Sequence, residues 1–175
     1  MTYSLGKTSL ANLALVDPVM CGVVKLAITL TTQDFGVYSG ARTASEQNAL
    51  YQQGRTKPGK RVTDKDGYKS KSNHQTKTDG FGDSVDLVPW VDGKGAKGAA
   101  GWFWDDTWAI HYAIAVAMSQ AARQLKVKIK WGGNWYETMD QYPATLEGVK
   151  AAVERYKKAH EGADFLDAPH FELAA

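Results

Sequence analysis

The sequence predicts an α+β fold: a small, mainly antiparallel sheet flanked by helices. Three observations carry this. Segments of helical and of strand periodicity alternate along the chain. The strand candidates are short and lack the continuous apolar runs of a parallel sheet buried on both faces. One long amphipathic pattern, opening at Asp106 or Thr107, supplies a helix with a broad apolar stripe. The chain has 175 residues, 43% hydrophobic and 23% charged, enough for a core without disulfides or a structural metal. We expect one domain over residues 1–175, with no separate second domain.

The elements follow in order. Asp17-Pro18 starts a helix, with aspartate as N-cap and proline in the first turn. Val19, Val23, Val24, Ala27 and Leu30 then recur at helical spacing, and the helix stops near Thr31. Phe35, Val37 and Tyr38, bounded by Gly36 and Gly40, form a short strand. Thr43 or Ser45 caps a second helix, which Gly54 ends. A long Gly-, Lys- and Asp-rich loop follows, of a length that is uncommon in a compact domain unless functional. Ser84-Val85-Asp86-Leu87-Val88 is a strand stopped by Pro89. Gly93 to Gly101 is a surface connector.

The helix after it carries the stripe Trp108, Ile110, Ala113, Ile114, Ala117, Met118, Ala121 and Leu125. Val127, Ile129 and Trp131 alternate with lysines in a half-buried strand ended by Gly132-Gly133. A helix from about Ala144 to His160 is closed by Gly162, and Pro169 to Leu173 is a final short strand.

The net charge is only +2, so the total gives no polyanion signal. Residues 55–71 differ, with seven basic residues against Asp64 and Asp66. This run reads as a solvated loop or as a surface drawn to anionic polymer; without aromatic interleaving it does not read as a nucleic-acid site. Cys21, the only cysteine, sits among apolar residues as a small buried hydrophobe. Met1 to Leu15 has no basic segment followed by an apolar run, so no secretory signal peptide is expected, and no stretch is long enough for membrane insertion.

Of the four histidines, His111 and His160 lie within helices and read as structural or surface residues. His74 precedes the strand holding Asp86, and His170 starts the last strand. Two imidazoles and one carboxylate at strand ends suit a catalytic zinc ion, Zn2+, which keeps one position open for water and makes that water easier to deprotonate. Asp167, three residues before His170 across Pro169, is placed to act as acid/base. Arg42, at a strand-to-helix junction, is the candidate cation for the negative charge that develops on the substrate carbonyl. Spacing alone leaves the metal site one reading among several, since no close pair such as HExxH is present.

Ser72-Asn73-His74 with Ser84-Val85-Asp86-Leu87, and Asp167-Ala168-Pro169-His170-Phe171-Glu172-Leu173, resemble the two halves of the zinc signature of VanY/VanX-like D-Ala-D-Ala peptidases. Gly36 to Thr43, Glu46-Gln47 through Tyr51, Gly54-Arg55-Thr56 and Trp131-Gly132-Gly133-Asn134-Trp135 extend the resemblance over nearly the whole chain. The closest branch is the phage endolysins with L-alanyl-D-glutamate endopeptidase activity.

The resemblance implies the hedgehog/D-Ala-D-Ala-peptidase-like fold, zinc on His74, Asp86 and His170, and Asp167 as acid/base. It implies that Arg42 assists the substrate carbonyl and that Ser72 supports the site or binds substrate. The partner implied is the peptidoglycan stem peptide, not nucleic acid. The protein is expected to be a monomer that waits in the host cytoplasm until a holin opens the membrane. The same fold also serves D-Ala-D-Ala carboxypeptidases and dipeptidases, and non-catalytic binding modules. Three departures from the family pattern stand out. A turn is inserted over Gln75 to Asp83, Asn134 replaces a usual aspartate, and the helix of Ala144 to His160 is added.

Overall fold

The computed structural model describes residues 2–91, 94–95, 108–160 and 166–174. Five helices lie among them: α1 (Lys7–Asn12), α2 (Pro18–Leu30), α3 (Ala44–Gln52), α4 (Trp108–Leu125) and α5 (Leu146–Ala159). The strands are β1 (Phe35–Ser39), β2 (Ser84–Val91), β3 (Lys94–Gly95), β4 (Ile129–Gly132), β5 (Asn134–Thr138) and β6 (Asp167–Leu173). The sheet order is β1-β2-β6-β4-β5, with β3 paired to β2, and every pairing is antiparallel. The last strand thus enters the middle of the sheet, between β2 and β4. This α+β sheet flanked by helices is the architecture the sequence predicts.

Local chemistry explains most boundaries. The Asp17 carboxylate accepts the Val19 N–H at the start of α2, with Pro18 behind it. Thr43 and Glu46 form a reciprocal capping box on α3, and Gly54, at φ +72°, follows its last turn. α4 is buried on more than one face, with His111 and Tyr112 covered as well as Ile114, Ala117, Met118 and Ala121. It packs against α2, α5 and the sheet. Leu125, predicted in the stripe, and Val19, predicted in that of α2, are exposed. Cys21 is only half-buried; its thiol donates to the Leu13 and Val16 carbonyls.

The structure departs from expectation in four places. Pro89 does not stop β2, which runs on to Val91. The Trp90 N–H points to Asp34 on the β1 side, so position 89 faces the other way, where the pairing with β6 is confined to Ser84–Asp86. A missing N–H costs nothing there. β4 ends at Gly132 as the sequence predicts, but the glycine pair turns the chain straight back into β5, a strand the sequence did not indicate. α1, too short for a readable period, is tied to β1 by Asn12, which donates to the Val37 and Tyr38 carbonyls, and by Ser9, which accepts the Val37 N–H. The final strand begins at Asp167, two residues before its expected start. Gly93, most of its connector, the helix start at Asp106 or Thr107, and Gly162 lie outside the described residues.

The glycine pair has a further reason. A Cβ on Gly132 would overlap the Asp167 carbonyl oxygen, and one on Gly133 would overlap the Trp131 ring. Trp131 is fully buried, and its indole N–H donates to the Ala168 carbonyl at 2.8 Å. β6 is therefore pressed against this turn without room for a side chain. Gly132→Ala should destabilise the protein by roughly 1–3 kcal/mol through overpacking. Gly6→Ala, where an added Cβ meets nothing within 4 Å, should change stability by less than about 0.5 kcal/mol. Urea unfolding of the two variants checks the contrast.

Candidate metal centre

His74, Asp86 and His170 converge on one point. His74 Nε2 lies 3.2 Å from Asp86 Oδ1, His170 Nδ1 lies 3.3 Å from the same oxygen, and the two ring nitrogens are 3.3 Å apart. The three atoms form a nearly equilateral triangle. A tetrahedral zinc with bonds of about 2.0–2.1 Å needs donor atoms about 3.3–3.4 Å apart. The donor set and its spacing fit such an ion. Cross-strand register produces the arrangement, because Asp86 on β2 is paired directly with His170 on β6. His74 arrives from a loop whose carbonyl accepts the Arg42 N–H at 2.8 Å.

Each of the three has an outer partner that turns one atom toward the triangle. His74 Nδ1 lies 2.7 Å from the Gly40 carbonyl, so it carries the proton and leaves the Nε2 lone pair free. His170 Nε2 is 3.1 Å from the Glu172 carboxylate, and Asn73 donates to the same oxygen at 2.7 Å. Asp86 Oδ2 accepts from Arg42 Nη2 at 2.7 Å, which leaves Oδ1 for the centre. Sequence reasoning left Glu172, Asn73 and Gln47 without a role. The signal for Glu172 was available: residues two apart on a strand share a face.

The electrostatics show what the triangle wants. Burial opposes charge on Asp86, but His74 and His170 outweigh it and hold the carboxyl well below the usual range. Burial keeps His74 neutral. Burial also works against a proton on His170, yet the hydrogen bonds to Asp86 and Glu172 win and push its pKa up to about 10. A proton on His170 thus supplies the positive charge that a bound cation would otherwise bring.

Asp167 reaches the same neighbourhood through an irregularity. Trp131 pairs with Phe171, but Gly132 pairs with Asp167, so residues 168–170 have no partner on β4 and bulge on that side of β6. The bulge breaks the strict alternation that would send residues 167 and 170 to opposite faces. Burial and then the Asp86 charge push the Asp167 carboxyl up to about 6, while His170 and Arg42 pull the other way.

Arg42 is fully engaged: Nη2 binds Asp86, Nη1 donates to Gln47 at 3.0 Å, and Nε donates to Ser39 at 3.0 Å. Its guanidinium sits on the Asp86 carboxylate, an arrangement the sequence did not indicate. The Ser72 hydroxyl accepts the His74 N–H at 3.3 Å and so shapes the ligand's loop. The inserted turn leaves the triangle undisturbed. Asp83 N–H donates to the Asn73 carbonyl at 2.8 Å, closing its base, and Lys77 pairs with Asp83 across it. Asp79 caps the Phe81 N–H within the turn. The added helix α5 packs on α4 and β5 through Val149, Ala152 and Val153.

A family model described as phage L-alanyl-D-glutamate peptidase matches residues 1–174. Over 149 residues the chain is 29% identical to the L-alanyl-D-glutamate peptidase of Escherichia phage T5, covering 85% of this chain and 93% of that protein. Among solved structures, the Serratia marcescens L-Ala D-Glu endopeptidase ChiX shares the fold with a TM-score of 0.59. That match covers 96% of this chain and 87% of the other at 23% identity. With a family model spanning almost its full length, the chain belongs to the phage L-alanyl-D-glutamate peptidase family.

Proposed function

We propose that this protein is an endolysin, a zinc-dependent endopeptidase that hydrolyses the L-Ala–D-Glu bond of the peptidoglycan stem peptide during host lysis. The observation that carries the metal assignment is the triangle of His74 Nε2, Asp86 Oδ1 and His170 Nδ1 with sides of 3.2–3.3 Å. Family membership supports the substrate bond. The resemblance to VanY/VanX-like zinc peptidases supports zinc as the ion. When bound, zinc supplies a Lewis acid that polarises the scissile carbonyl and lowers the pKa of water.

The chain's residues do the rest. Asp167 takes a proton from the attacking water as its oxygen bonds to the L-alanine carbonyl carbon. The C–N bond then breaks, and Asp167 returns the proton to the departing D-glutamate amine. Burial pushes this carboxyl up in the metal-free chain, and a bound cation would draw it back toward the ionised form that accepts the proton. Arg42 holds Asp86 in position, and Glu172 with Asn73 orients His170. Ser72 holds the His74 loop. The protein would reach the wall when the host membrane is opened at lysis; no helix among the described residues is long and apolar enough to cross a membrane.

Mass spectrometry of digested peptidoglycan should find a new C-terminal alanine and a new N-terminal glutamate. Release of free D-alanine or its dipeptide instead would replace this reading with a carboxypeptidase or dipeptidase.

Metal analysis should find about one zinc per chain, lost in His74→Ala. A purified His74→Ala protein with full zinc would contradict the ligand set.

Asp167→Asn should keep zinc and lower turnover at least about 100-fold. It should also change the pH dependence of stability in metal-stripped protein. The Asp167 pKa is raised on folding, so its contribution favours the folded state below the unfolded value of 3.8 and is lost as pH rises through about 6. Metal-stripped Asp167→Asn should therefore be more stable than the native chain at pH 8, by on the order of 1–3 kcal/mol, and no more stable at pH 4. Thermal unfolding at the two pH values reads this directly.

A further inference from the structure

Residues 55–71 form a long loop, yet buried amides hold it in place. The side chain of Gln47, which is fully buried, accepts from Arg42 and donates to Thr63 Oγ1 and the Lys65 carbonyl. Gln75, next to the ligand His74, donates to the Gly67 carbonyl at 2.8 Å, and Asn48 donates to the Asp66 carbonyl at 2.9 Å. The loop is thus fastened to the residues that build the metal centre, one side chain away from Arg42 and Asp86.

Its charge is lopsided. Seven of the chain's 21 basic residues fall here against two of its 19 acidic ones, so the rest of the chain has an acidic excess of three. Both loop acids are already engaged. Asp64 pairs with Arg55 and Arg61, and Asp66 accepts the N–H groups of Tyr68, Lys69 and Ser70. Lys57, Lys60, Lys65, Lys69 and Lys71 are exposed, and none has an ion-pair partner among the described residues. Nothing in the fold requires these five ammonium groups. Carried on one loop anchored next to the site, they give it an unneutralised positive charge that attracts polyanions over about a Debye length of 8–10 Å.

We infer that this loop is an electrostatic docking surface for the carboxylate-bearing peptide matrix of intact peptidoglycan. The inference rests on peptidoglycan being the substrate, whose stem peptides carry free carboxylates at every repeat. The polymer presents those charges around each scissile bond, so a positive face beside the metal centre raises the local concentration of substrate without touching the reacting atoms. Nucleic acid is the less suitable polyanion, because the loop has no aromatic side chains spaced for base stacking.

The test compares the native chain with a Lys57→Gln/Lys60→Gln/Lys65→Gln/Lys69→Gln variant on two substrates. One is intact sacculi; the other is a short soluble stem peptide containing the L-Ala–D-Glu bond. On sacculi, KM should rise about tenfold for the variant at low salt. Between about 50 and about 500 mM salt the native chain should lose this advantage and the variant should change little. Turnover of the soluble peptide should be the same for both.

Binding is read separately by co-sedimentation with sacculi in an Asp167→Asn background, which leaves the wall undigested. Sacculi with amidated carboxylates should bind the native loop as weakly as the quadruple variant does. Unchanged KM and salt dependence on sacculi would overturn the inference. So would equal loss on both substrates, undiminished binding to amidated sacculi, or tighter binding to duplex DNA than to sacculi. If the native chain cleaved neither substrate, the proposed function would fail, while co-sedimentation would still decide the docking surface.

Discussion

The structure turns on the charge of one carboxylate, Asp86. It sits on an inner strand, between two imidazoles and a guanidinium, where an unpaired anion would be costly. Removing a partner from such a buried group typically costs about 3–5 kcal/mol, because the remaining charge is left uncompensated. Four segments distant in sequence are drawn together to meet this demand: the end of β1 with Arg42, the His74 loop, β2 and β6. The register of β2 on β6 and the insertion of the last strand into the sheet centre serve the same end. Holding these groups around one anion also sets three donor atoms at a spacing that could hold a divalent cation.

Much of the fold could be read from local signals. Asp17-Pro18, the Thr43–Glu46 box and Gly54 act over a few residues, and the structure uses each of them. What could not be read depends on partners far away. Pro89 is tolerated because the pairing of β2 with β6 stops at Asp86. β5 was hidden because a glycine pair marks a tight turn as well as a stop, and the choice depends on Trp131 and β6 packing against it. The exposure of Leu125 and the burial of His111 reflect how many neighbours surround α4, which a single helical period does not encode.

The three converging residues were legible as residue types and as motif halves, but spacing could not bring them together. His74 and His170 are separated by 96 positions, and only the sheet order closes that gap. The partners behind them were harder to see. Arg42 looked like a cation available to substrate, and its engagement with Asp86, Gln47 and Ser39 is a fact of three dimensions. Asp167 was identified by its place before Pro169. The physical reason it lies near His170 is the bulge that interrupts the pairing of β6 with β4.

The turn between Asn73 and Asp83 has a different kind of consequence. A backbone hydrogen bond from Asp83 to Asn73 clasps its ends, and a second from Lys77 to Phe81 closes its tip, so the tip projects from a fixed base. Lengthening a loop whose ends already meet costs little entropy, since the penalty grows only with the logarithm of its length. Residues added at this tip, a few positions from His74, would therefore cost the fold little. It is a graft point: a lineage could add a recognition element beside the reaction centre there without rebuilding the centre itself.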